Sequence, residues 1–302
     1  MKTLILGCGV QGKKRQPIIG DDFFAFVDPY NVKADYKNAY EVPLNRYENV
    51  MLCIPDKNKI DLIRYFLKNK KNILVEKPLI PTDIFELIEL KNLAEENHVT
   101  CYTAYNHRFE PHIKKMKKII KDEVLGKIYN VRLYYGNGTA RLVKKSPWRD
   151  QGNGVLNDLG SHLLDMINFW FGEKQREFNI VTSNKFENKS FDHIILHNRH
   201  DLDITLEMSL LSWKNSYSAD IFGEKGSAHI KSLCKWGPSS FDLNLRKYPS
   251  GIPDQKSEII TNADPTWKEE YDFFKQICLK KANNLSNDIN IYNTLSSLKQ
   301  NS

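Results

Sequence analysis

The run Gly7-Cys8-Gly9-Val10-Gln11-Gly12 follows directly on a short apolar stretch, residues 3–6 (TLIL), and precedes a segment able to open a helix. That juncture of strand, GxGxxG and helix restricts the fold more than any other feature of the chain. The first glycine permits a tight turn, the second lets the backbone approach a pyrophosphate, and the third allows close packing of helix on strand. The free N–H groups and dipole of a helix N-terminus then favour phosphate. Alone, the motif is a weak signal. It gains weight from Asp28, which ends a second apolar run (23–27, FFAFV) 21 residues after Gly7 (28 − 7). A carboxylate at that place can accept hydrogen bonds from an adenosine ribose. No Arg stands in Pro29-Tyr30-Asn31 to take a 2′-phosphate, so the reading is NAD, with NADP the less favoured cofactor.

Further apolar runs at 50–54 and 73–75 stop at Pro55-Asp56 and Glu76-Lys77-Pro78. Between them Ile60, Ile63, Phe66 and Leu67 recur at helical spacing, and Thr82 and Asp83 offer caps for a later helix. Strands alternating with helices predict an α/β protein with an N-terminal Rossmann domain, a doubly wound parallel sheet over residues 1–106. The pattern then changes. Ile113, Met116, Ile120 and Val124 mark a helix, 155–171 another, and 266–281 a third, with 283–302 a docked helix or a frayed tail. Strand-like segments at 128–135, 193–197, 203–211, 217–222, 228–230 and 241–245 predict a C-terminal α+β domain, 107–302, with a large, mainly antiparallel open sheet. Apolar residues at alternate positions of 128–135 and 203–211 (Ile128, Val131, Leu133, Tyr134; Ile204, Leu206, Met208, Leu210, Leu211) are read as covering both faces, hence a homo-oligomer, dimer or tetramer.

Composition narrows the classes. A chain of 302 residues, 41% hydrophobic, suits two folded domains rather than disorder. The net charge of +7 is spread along it, and Lys114, Lys117, Lys118 and Lys121 fall largely opposite the apolar positions of their helix. That is a solvated face, not a nucleic-acid patch. No apolar run approaches the ~20 residues of a membrane span. The basic cluster Lys13-Lys14-Arg15 follows the N-terminal apolar run, the reverse of a signal peptide. Five scattered cysteines with no CxxC pair point to a reducing, cytoplasmic home and to no metal site.

Two places carry chemistry. Lys77 stands where open α/β sheets place ligands, at the carboxyl end of a strand, and can donate a proton or a hydrogen bond there. By itself a strand-end lysine is more often a surface residue. Asp158 and His162 stand four apart, which on a helix puts both on one face. An imidazole beside a carboxylate suits proton abstraction from an alcohol. The pair also fits a cap or two ligands of a metal, although no third ligand stands at recognisable spacing. The remaining histidines, His107 among them, read as core or surface residues.

Taken together, GCGVQG at 7–12, Asp28, CIPD at 53–56, EKPL at 76–79, NHRFEP at 106–111, VLGKIYNV at 124–131, WRDQGNGVLNDLGSHLLD at 148–165 and IFGEKGSAHI at 221–230 resemble the glucose–fructose oxidoreductase/inositol dehydrogenase/rhizopine catabolism (Gfo/Idh/MocA) family. The resemblance implies a nicotinamide dinucleotide on Gly7, Gly9, Val10, Gln11, Gly12, Asp28, Ile54, Pro55, Glu76, Lys77 and Asn106. It implies a sugar, cyclitol or sugar-nucleotide on Lys77, Arg108, Trp148, Arg149, Asp158 and His162, with Lys77, Asp158 and His162 catalytic and the Lys77–Pro78 peptide cis. Lys77 and His162 would then converge on one substrate oxygen. Only 21 residues (29–49) separate the second strand from Val50, so the adenine side is trimmed. Lys59 stands where family members often have a histidine. The resulting reading is an NAD-dependent dehydrogenase of a secondary hydroxyl. Its rivals are a same-fold enzyme using NAD internally, for dehydration, elimination or glycoside cleavage, and a dinucleotide-sensing regulator.

Overall fold

The computed structural model describes residues 1–56, 58–146, 149–200 and 202–300. It divides into two compact units, one of Met1–Asn106 with Thr266–Tyr292 and one of His107–Pro265 with Asn293–Ser302.

The first unit is built on a five-stranded parallel sheet: β1 (Thr3–Leu6), β2 (Phe23–Val27), β3 (Asn49–Leu52), β4 (Asn72–Glu76) and β5 (Cys101–Ala104), in the order β2-β1-β3-β4-β5. Helices α1 (Val10–Ile19), α2 (Lys59–Lys68) and α3 (Ile84–Glu96) connect them. β1, β3 and β5 are buried throughout, as continuous apolar runs covered on both faces must be. No helix joins β2 to β3. Two short 3₁₀ turns, at Ala39–Glu41 and Leu44–Arg46, and a single bridge from Val27 to Tyr36 fill that interval. This is how the trimmed segment is accommodated.

Helix α7 (Thr266–Lys280) returns to this unit, although the linear reading assigns the whole of 107–302 to the second domain. Tyr271, Phe274 and Cys278 pack on the face of the sheet formed by Ile5, Phe26, Met51, Leu74 and Tyr102. A chain that comes back after a long excursion leaves no local mark of its destination. Helix α8 (Leu285–Gln300) follows, so the tail is helical, and its residues up to Tyr292 belong here.

The second unit carries α4 (Pro111–Lys121), β6 (Ile128–Gly136), α5 (Ala140–Lys144), a π-helical turn (Leu156–Gly160), α6 (Ser161–Phe171), β7 (Asn179–Asn184), β8 (His193–Asn198), β9 (Asp203–Ser209), β10 (Ser216–Gly223), β11 (Gly226–Lys231), β12 (Ser239–Leu245) and β13 (Asp254–Ile260). The strands form one eight-stranded sheet, β13-β12-β11-β10-β6-β9-β8-β7, antiparallel except at β6–β9. One face is apolar and buried: Val131, Leu133, Ile204, Leu206, Met208, Ala219, Ile221, Ala228 and Ile230. The opposite face runs through Thr205, Arg132, Asp220, His229 and Asp242, paired in that order across neighbouring strands. The reading of two apolar faces is therefore corrected. Most of the apolar residues it cites lie on the buried face, and the outer face is mainly polar, with Tyr134, Ile195 and Phe222 among its residues, which weakens that argument for a covering subunit. Among the described residues no helix is long and apolar enough to cross a membrane.

Candidate functional site

The glycine motif of the first unit meets stringent local demands. Gly7 has φ +96°, and a methyl group there would stand 2.4 Å from the Cys53 carbonyl oxygen. One on Gly12 would stand 1.9 Å from the carbonyl oxygen of Gly7. Gly9 differs, because a methyl group there would meet nothing within 4 Å. Gly9 is also the N-cap of α1 and makes no side-chain cap, so the first-turn N–H groups, including those of Val10 and Gln11, face that open side. A pyrophosphate fits there.

Asp28 is more committed than its sequence role implies. Oδ2 accepts from the Cys8 N–H at 2.9 Å, and Oδ1 accepts from Tyr30 and Asn31 N–H at 2.9 and 3.0 Å. Burial opposes the charge, but these donors outweigh it and hold the carboxyl below its ordinary range. The Asn31 amide donates to the Cys8 carbonyl, so the 28–31 turn is tied to the glycine loop from both sides.

Arg15, one turn into α1, is 1% exposed and lies between Glu76 (2.8 Å) and Glu270 (2.7 Å), with Trp267 under its guanidinium at 4.2 Å. Burial alone would lower the pKa of this guanidinium, and the two carboxylates more than offset it and raise the value above the ordinary one. Glu76 is thus anchored, and half-buried Lys77 follows it through a cis peptide to Pro78. Half-buried Ile54 and exposed Pro55 follow β3. Lys59, in the place of the family's histidine, is buried and bonds Asp56 at 2.6 Å. The Asn106 amide donates to the Thr266 hydroxyl at 2.8 Å, fastening the start of α7.

In the second unit Asp158 lies in the π-helical turn and His162 in the first turn of α6. The pair is therefore not on regular α-helix. π-Turns concentrate at functional positions. Gly160 lets this turn press on β9, since a methyl group there would meet the Met208 sulfur at 2.8 Å. Arg149 reaches Asp158 at 3.1 Å, and both are partly open to solvent. Trp148 lies outside the described residues. Arg108 is pinned to buried Asp165 by three hydrogen bonds of 2.5 to 3.0 Å, which places its guanidinium on a partner within its own unit.

Residues to which the sequence reading gives no role in the chemistry surround His162. The His107 ring stacks on it at 4.0 Å, nearly parallel at 16°. Tyr135 approaches at 5.8 Å and Trp236 lies 5.7 Å from Tyr135. Lys235 Nζ donates to His107 Nε2 at 2.7 Å, which assigns the ring proton to Nδ1. Burial, and then the charge of Asp158, raise the Tyr135 phenol far above its usual range, so it stays a neutral donor. His107 is buried, as its core reading allows, and its ring stacks on His162.

Two family models match the chain: an oxidoreductase family with an NAD-binding Rossmann fold over residues 21–105, and the Gfo/Idh/MocA C-terminal domain over 113–229. The chain belongs to the Gfo/Idh/MocA oxidoreductase family. It is 28% identical over 152 residues to glucose-6-phosphate 3-dehydrogenase of Bacillus subtilis, a match spanning 49% of this chain and 43% of that relative. It is 27% identical over 125 residues to inositol 2-dehydrogenase of Rhizobium meliloti, spanning 41% and 37%. An oxidoreductase from Agrobacterium radiobacter, solved with NAD+, L-tartaric acid and magnesium, shares the fold with a TM-score of 0.78 at 14% identity, covering 100% of this chain and 97% of that one. The first unit matches the family's NAD-binding Rossmann domain, and the chain spans less than half the length of the two curated relatives named here.

Proposed function

We propose that the protein is an NAD-dependent dehydrogenase acting on a secondary hydroxyl of a sugar, cyclitol or sugar-nucleotide. The observation that carries the reading is the grouping of Asp158, His162, His107, Tyr135, Lys235 and Trp236 on one side of the second unit. It offers a base, hydrogen-bond donors and aromatic surface suited to a polyhydroxylated ring. His162 takes the hydroxyl proton, with Asp158, paired with Arg149, orienting the alcohol. Lys77 hydrogen-bonds the same substrate oxygen. Bound nicotinamide dinucleotide supplies the hydride acceptor. Gly9 to Gly12 receive its pyrophosphate and Asp28 its ribose, and the Asp28 charge disfavours a 2′-phosphate, so NAD is preferred to NADP.

Positioned proton transfer contributes ~10²–10⁴-fold to rate. Lys77→Ala and His162→Ala should each lower turnover by that order, with NAD affinity by calorimetry unchanged. The double variant should cost less than the product of the two, since both act on one oxygen. NADH accumulating in proportion to product supports net oxidation. Product without NADH would favour internal use of the cofactor, and full turnover in His162→Ala would overturn the mechanism.

A further inference from the structure

We propose that Glu110, Cys234 and Asp264 form a binding site for a divalent transition metal of the zinc class, beside the ring stack of the second unit. Three distant stretches bring these residues together. Glu110 caps α4, Cys234 opens a 3₁₀ turn after β11, and Asp264 lies between β13 and α7. One ligating atom from each lies within 4.8 Å of the others. Donors around a tetrahedral zinc are about 3.5 Å apart, so a modest contraction closes the set.

A second observation points to a ligand. Glu110 is 1% exposed; its Oε2 accepts the Cys234 N–H at 3.3 Å, but its Oε1 is buried with no hydrogen-bond partner. The Tyr217 hydroxyl is buried without a partner as well, and Glu110 is its leading electrostatic neighbour. A buried carboxylate oxygen left unsatisfied costs free energy unless something polar meets it. Glu110 and Cys234 are buried while Asp264 is half-buried, which leaves an entry side. Lys235, the nearby cation, is turned onto His107.

The donor chemistry selects the metal. One thiolate with two carboxylates suits zinc, whereas magnesium and calcium take oxygen ligands alone. Three protein ligands leave a fourth position for water, which the Tyr217 hydroxyl can meet. On binding, the thiol S–H bond breaks, a sulfur–metal bond forms, and the proton leaves to solvent. The occupied site would fix the turn Cys234–Trp236, and with it Lys235 and Trp236 against the rings of His107 and Tyr135. The three residues follow no short spacing, so no sequence pattern signals such a site.

Cobalt(II) is the probe. Full-length protein dialysed against chelator should bind one equivalent, with a thiolate-to-cobalt charge-transfer band in the near ultraviolet that zinc abolishes on addition. Cys234→Ser should lose the band, and Glu110→Gln and Asp264→Asn should each weaken cobalt binding at least tenfold, with NAD affinity unchanged in all three. No band in the unmodified protein, or the same band in Cys234→Ser, overturns the proposal. If Cys234→Ser does not fold, Asp264→Asn at the half-buried rim decides, and unchanged cobalt affinity there overturns it.

Discussion

The glycine loop of the first unit and the ring stack of the second are both polar sites on short irregular turns, yet they hold their charges differently. Around the glycine loop the charges are answered from within. Arg15 lies between two carboxylates, and Asp28 accepts three backbone N–H groups. Around the ring stack, Arg149 and Asp158 pair in partial contact with solvent, and the neighbouring Glu110 and Tyr217 each bury an unmatched oxygen. The first arrangement is rigid before any ligand arrives. The second keeps polarity in reserve for what binds.

Breaking the first arrangement should have the largest effect. Arg15→Ala leaves fully buried Glu270 without its cation, and removing one partner of a buried ion pair typically costs ~3–5 kcal/mol. Denaturant unfolding should show that loss. It should also free Glu76, and turnover should fall with it, because Lys77 is the next residue. A variant as stable as the parent would mean that the network does not organise this unit.

Asp28→Ala should come next. On its proposed role, its hydrogen bonds to NAD, made by a charged acceptor, would be worth ~1.5–3 kcal/mol, and the same substitution unties the 28–31 turn from the glycine loop. Calorimetry should therefore show weaker NAD binding and a narrower preference over NADP. Tighter binding of NADP than NAD by the unmodified protein would count against the role given to Asp28.

What could be read in advance follows the same division. The motif at 7–12 and Asp28 at the end of β2 depend on short spacings, and these survive translation into structure. His107, Lys235, Trp236 and Glu110 meet only through the register of a mainly antiparallel sheet and the turns after it, which no local pattern encodes. β13 (DQKSEII) was missed because it is an edge strand exposed along nearly its whole length, without the alternation that marks a half-buried strand. β5 (CYTA) was missed for brevity. The commitment of Asp28 to backbone donors was also out of sight, because an acid at a strand end looks the same in sequence whether it faces a ribose or a turn.

Acid titration gives the finest comparison, since Asp28 in one unit and Asp150 in the other are both held by backbone N–H donors and both shifted. Asp28 accepts from Cys8, Tyr30 and Asn31 N–H. Asp150 accepts from the N–H and the hydroxyl of Ser190, both at 2.9 Å, and from Lys189 N–H. Burial opposes both charges, yet the donors prevail and both carboxyls lie below their ordinary range. A group whose folded pKa is depressed adds stability that is fully present above the unfolded value, about 3.9 for Asp. That stability is lost as pH falls through the folded value. These two groups should therefore add no pH dependence between about 5 and 7, and a decline below about 4. Ser190→Ala removes the hydroxyl donor alone, so Asp150 should titrate at higher pH in carboxyl NMR while Asp28 stays in place. If Asp28 moved as well, the two units would be electrostatically coupled and the contrast between them would fail. If neither moved, the Ser190 hydroxyl would not be what holds Asp150 ionised.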